Sequence, residues 1–164
     1  MDKRPKTRTD AERGARDIAG PSDPIVTRIH RYWSDKRGGR RMPSRADIDP
    51  AELGRLVLNV MLYDVEEPGK LYRVRLVGGA IVDFHGVNAT GEIAGTFMPP
   101  TSAAQTIEIL NAVVANRAPR FRAGFAHWSR DKSYRQFEAC FLPLSPDDDR
   151  VDKILAGIAF DTAS

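Results

Sequence analysis

The stretch 134-YRQFEACFLPLSPDDDRVDKILAGIAF-160 holds two apolar runs, Tyr134 to Leu142 and Lys153 to Phe160, on either side of the polar turn Ser145-Pro146-Asp147-Asp148-Asp149. Runs of this length and composition read as strands. A connection this short has no room for a helical crossover, so the two are expected to lie antiparallel. By the same argument the run Arg120 to Trp128, linked to Tyr134 through the turn Ser129 to Lys132, is a third antiparallel strand.

Upstream of these strands, Ser102-Ala-Ala-Gln105 has the spacing of a capping box, and Ile107, Leu110 and Val114 follow at i, i+3 and i+7. A long amphipathic helix is therefore predicted to run to about Asn116, with Pro119 barring further extension. Between Gly78 and Pro100 the pattern breaks into short pieces, Ala80 to Phe84 helical and Gly86, Gly91 and Gly95 interrupting. Val57 to Val65 reads as a strand buried on both faces. Glu66-Glu67-Pro68-Gly69 then turns the chain into a partner strand with Tyr72, Val74 and Leu76 on one face and Arg73 and Arg75 on the other.

Two helix starts precede that hairpin. Asp49-Pro50 opens a short helix to about Leu56, and Asp23-Pro24 opens a longer one, the carboxylate accepting free amide protons and proline tolerating the first position. Ile25, Ile29, Tyr32 and Trp33 give the longer helix one apolar face, which ends before Gly38-Gly39. Residues 1–21 are polar and aperiodic and are expected to form a disordered or loosely held arm, with a single domain over 22–162.

The expected fold is α+β: a five-stranded antiparallel sheet with a helical insert and an N-terminal helix, the long helix returning the chain so that the Val57 strand pairs with the last. The insert covers one sheet face. The Ile25, Ile29, Tyr32 and Trp33 face covers the other or meets the same helix of a second subunit, which makes these residues candidates for a partner or homodimer interface.

This order is similar to the PAS fold, and the wording resembles a family of short, stand-alone alphaproteobacterial PAS proteins over about Ile29 to Phe160. The likeness rests on Tyr32-Trp33, on Arg40-Arg41-Met42-Pro43-Ser44-Arg45-Ala46-Asp47-Ile48-Asp49-Pro50, and on Tyr72-Arg73-Val74-Arg75-Leu76-Val77-Gly78. Ala89-Thr90-Gly91, Phe141-Leu142-Pro143-Leu144-Ser145 and Val151-Asp152-Lys153-Ile154-Leu155 add to it. The resemblance implies a regulatory module in which sheet and insert enclose a cavity, and in which the outer sheet face and terminal helices dock a protein partner in a signalling pathway. It names no ligand, because PAS domains vary among haem, flavin, small acids and none.

Composition narrows the function. A chain of 164 residues fits one domain with a tail, and 41% hydrophobic with 29% charged residues is ordinary for a soluble protein. One cysteine, Cys140, permits no intrachain disulfide and suits a reducing compartment. With neither a signal-peptide core nor a membrane-length apolar run, a bacterial cytoplasmic location is expected. The net charge of +3 raises nucleic acid as a partner of the basic arm. Lys3, Arg4, Lys6 and Arg8 are followed at once by Asp10, Glu12 and Asp17, which disfavours a phosphate-binding face.

Pocket candidates follow from residue type. His85, just after the first helix of the insert, offers an imidazole to a ligand or, as a disfavoured reading, to a haem. Arg75 offers a paired hydrogen bond to a carboxylate. Phe84, Phe97, Phe125 and Phe137 are candidate cavity walls. Cys140 in an apolar strand is expected to be inert, and Asp147 to Asp149 lack the alternation and closing glutamate of a calcium loop. No phosphate-cradling loop, paired zinc histidines or glycine-flanked serine is present in the sequence, so no catalytic or metal residue is assigned and no cofactor is required.

Overall fold

Six antiparallel strands, one more than expected, lie side by side in the computed structural model, which describes residues 14–129 and 131–161. Their order is β1 (Ala15–Ile18), β4 (Arg120–Phe125), β5 (Gln136–Leu144), β6 (Lys153–Phe160), β2 (Val60–Glu67) and β3 (Leu71–Val77). The 134–160 stretch forms the hairpin its turn predicts, with Cys140 opposite Gly157 and Leu142 opposite Leu155. β6 pairs on its other side with β2, so the strand after the short helix does meet the last one.

The additional strand falls within the segment 1–21 read as an arm. Residues 1–13 lie outside the described residues, but Ala15 to Ile18 pair with Phe121 to Gly124 along the edge of the sheet. So short a strand carries no periodicity to read. Its place depends on the partner strand: a Cβ on Gly124 would stand 2.3 Å from the Gly14 carbonyl oxygen and 2.5 Å from the Ala15 Cα.

Among the described residues four α-helices flank the sheet. α1 (Pro24–Arg37) begins as its sequence predicts, with Asp23 Oδ1 accepting from the Ile25 and Val26 amides at 2.7 and 3.3 Å. α2 (Pro50–Leu53) is capped in the same way by Asp49 and passes into a 3-10 turn over Gly54–Asn59, so β2 starts at Val60 and not at Val57. α3 (Gly79–His85) lies in the insert. α4 (Pro100–Asn116) starts before the expected capping box, because Pro100 takes the first helical position. Ser102 therefore sits buried inside the first turn, and the buried stripe is Ile109, Leu110 and Val113.

A bulge in β3 makes a second correction. Leu62 pairs with Leu76 but Tyr63 pairs with Val74, leaving Arg75 as the extra residue. One unpaired residue reverses the alternation, so Tyr72 and Val74 share one face while Leu76 joins Leu62 on the other.

The outer face is closed by α1. Ile29 and Trp33 are buried there, and the Trp33 indole donates to the Pro143 carbonyl at 2.9 Å. The approach is close enough that a Cβ on Gly157 would fall 2.8 Å from Ile29 Cδ1. At the start of α1, Glu138 of β5 accepts from the Ser22 hydroxyl at 2.6 Å and the Asp23 amide at 2.7 Å. That buried carboxylate fixes the helix end to the middle of the sheet.

Candidate functional site

The opposite, inner face is covered by α4 and retains a cavity of about 70 Å³. Alternation along β5 brings Phe137, Ala139 and Phe141 to it, β6 adds Ile158, and β2 adds Met61 and Tyr63. From α4 come Ser102, Gln105, Thr106 and Ile109, a single helical face at i, i+3, i+4 and i+7. β4 contributes Arg122, and His85, Phe97 and Trp128 also line the space. A space of this size exceeds the roughly 10–15 Å³ that one water needs, and admits several waters or a short organic molecule.

Its polar groups are few and differently engaged. The Tyr63 hydroxyl is buried, and its polar contact among the described residues is the Met61 sulfur at 4.0 Å. Burial raises the phenol well above its ordinary value, so it stands as a neutral donor. The His85 Nε2 accepts the Trp128 indole proton at 2.7 Å. Burial, and then the Lys132 ammonium that donates to the Phe84 carbonyl, pushes the imidazole down to about 4, so it is neutral at physiological pH. Arg122 donates from Nη1 to the Gln105 carbonyl at 2.9 Å and from both Nε and Nη2 to one oxygen of Asp17 at 3.3 Å.

Of the pocket candidates read from the sequence, the structure brings His85, Phe97 and Phe137 together at this cavity. Phe84 stacks on Phe160, the centroids 3.8 Å apart, outside the lining. Phe125, at the end of β4, stacks beside His127. Arg75 occupies the β3 bulge, exposed, with the Asp64 carboxylate at 3.7 Å, and does not line the cavity. On α1, Ile29 and Trp33 are buried against the chain's own sheet, while Ile25 and Tyr32 keep part of their surface and the Tyr32 hydroxyl accepts from the Asp49 amide. An interface on this helix therefore has only its flank to use.

The remaining candidates have structural tasks. Cys140 lies under Ile29 with its thiol pushed up to about 12 by burial, which keeps it protonated and unreactive. Asp147 accepts from the Asp149 and Arg150 amides, Asp148 from the Arg41 and Met42 amides, and Asp149 pairs with Arg117, so the acidic turn ties loops together. The His85 Nε2 is already engaged by the Trp128 indole. Arg122 and Tyr63 were missed in the sequence; the readable signal was the polar i, i+3, i+4 spacing of Ser102, Gln105 and Thr106 on the helical face that continues to Ile109.

Among the described residues no helix is long and apolar enough to cross a membrane. No curated protein matches the chain in sequence. In structure it is similar to the PAS domain of Bordetella pertussis BvgS, at 21% identity and a TM-score of 0.52 over 71% of this chain and 89% of that one. It is also similar to an RNA-binding light-oxygen-voltage receptor, at 11% identity and a TM-score of 0.53 over 88% of this chain and 37% of that one. At such identities these likenesses speak for the fold alone. The model of the PAS domain family matches residues 22–159. With that match spanning most of the sequence, the chain belongs to the PAS domain family, whose members are in general sensory and signalling modules.

Proposed function

We propose that this chain is a sensory module that takes a small molecule into the cavity under α4 and passes its state to a protein partner. The observation that carries the reading is the cavity itself: apolar walls from three strands and one helix, with a neutral phenol, a neutral imidazole and one guanidinium turned toward it. A packed core does not keep such groups without a compensating partner, because each buried donor left without an acceptor costs about 1 to 3 kcal/mol. The bonds made by His85 and Arg122 account for part of their polarity, and among the described residues the Tyr63 hydroxyl is bonded to the Met61 sulfur alone.

The partner contact in this reading uses the exposed flank of α1, including Ile25 and Tyr32, and a homodimer through that flank is one form of it. A bacterial cytoplasmic setting accords with the single buried thiol of Cys140. Catalysis forms no part of the proposal. Native mass spectrometry of the protein purified from its own host tests it. A retained small molecule is expected, and it should be absent when Ala139→Leu fills the cavity. A spectrum at the bare chain mass for the unsubstituted protein contradicts the reading.

A further inference from the structure

We infer that Arg122 is the anchor for a small carboxylate with a short apolar tail, and that Asp17 is the internal carboxylate such a ligand displaces. The inference rests on the reading that the cavity takes a small molecule and adds its chemical class and the element it releases.

Among the described residues Arg122 is the one cationic side chain in the cavity lining, since His85 is neutral. It faces inward because it pairs with Ala139, itself a lining residue, and its side chain is 12% exposed. A guanidinium matched to a carboxylate makes two parallel bonds of about 2.7 to 2.9 Å, one to each oxygen. Here Nε and Nη2 converge on a single Asp17 oxygen, both at 3.3 Å, so the fork is loosely filled. Asp17 is 59% exposed and sits on the four-residue edge strand β1. A well-hydrated side chain on a short edge strand is an exchangeable partner. A ligand carboxylate on the same fork keeps the buried cation neutralised, which a neutral ligand displacing Asp17 would not.

The rest of the cavity suits that class. Met61, Phe97, Ile109 and Phe141 supply apolar walls for the tail, and the volume accepts only a short one. Tyr63, on β2 and separated from β4 by two strands, adds a buried hydroxyl to another part of the lining. Displacing Asp17 removes the ion pair between β1 and the sheet, while the backbone pairing and the Gly14 contact at Gly124 remain. Occupancy therefore loosens β1.

The test uses the full chain with sodium acetate, propionate, butyrate and hexanoate, and with the corresponding primary alcohols, at constant ionic strength. Binding is read by calorimetry and thermal shift, and amide exchange is followed over 15–18. The acids are expected to bind and the alcohols not, with faster exchange in β1 when acid is bound. Arg122→Gln is expected to weaken acid binding by about tenfold or more, the loss of charge-assisted bonds. Asp17→Asn, on an exposed side chain and so safe for folding, is expected to tighten it several-fold. Equal binding of acids and alcohols, or acid binding unchanged by Asp17→Asn, overturns the carboxylate assignment while leaving the cavity reading intact. Absence of binding by either class overturns the assignment as well, and the mass of the host-purified protein then decides the cavity reading separately.

Discussion

The two faces of the sheet are built to different ends. Outside, α1 presses Ile29 so closely on β6 that residue 157 has no room for a side chain, and the Trp33 indole finds a carbonyl 2.9 Å away. Inside, α4 stands off far enough to leave a cavity of about 70 Å³ in which a tyrosine hydroxyl has only sulfur for company. Close packing with satisfied polar groups is what stability favours. The inner face departs from it at the place where a ligand would enter, and functional sites are where such departures are expected.

The sharpest way to break this comparison is Trp33→Ala. A buried indole with a satisfied N–H is expected to cost about 3 to 5 kcal/mol in urea unfolding, and an unchanged midpoint would mean that the outer face is not the stabilising one. Next comes Glu138→Ala, which strips the charge-assisted acceptor from Ser22 and Asp23. A loss of about 3 kcal/mol is expected, with amide exchange accelerated first at the beginning of α1.

His85 gives the inner face a pH signature. Its imidazole is held down to about 4 in the folded chain, against an ordinary value near 6.5, so the unfolded chain takes up a proton first as pH falls. The contribution of neutral His85 is therefore complete above about pH 6.5 and is lost progressively toward pH 4, a change on the order of 3 kcal/mol. Unfolding measured in steps across that window should show His85→Gln, which can still accept the indole proton, with a shallower dependence by that amount. Identical slopes in the two proteins would remove His85 from the account. Tyr63→Phe has the smallest expected effect, within about 0.5 kcal/mol of the parent or slightly stabilising, because the hydroxyl it deletes lacks an oxygen or nitrogen partner. A loss of more than about 1 kcal/mol would show that the inner face is as fully bonded as the outer.

What could be read in advance divides along the same line. The outer face was legible, since Asp23-Pro24, the Ile29 and Trp33 spacing, and the 134–160 hairpin are local patterns that tertiary packing merely completes. The bulge at Arg75 was not, because the extra residue is defined only by its partner strand, and with it Leu76 changed sides and Arg75 lost its assigned role. β1 escaped for a related reason, its four residues being recruited by the bare backbone at Gly124. At the cavity, of the phenylalanines most easily noticed, Phe97 and Phe137 line the space and Phe84 and Phe125 do not. Arg122 and Tyr63 lay in strands whose inward direction is fixed by register, a quantity the linear sequence does not display.

β5 is a party wall. Phe137, Ala139 and Phe141 are the floor of the inner room, and Glu138, Cys140 and Leu142, which alternate with them, are the ceiling of the outer one. A displacement of this one strand by even part of a bond length is felt at once by whatever rests on either surface, so neither compartment can be altered without a tremor in its neighbour.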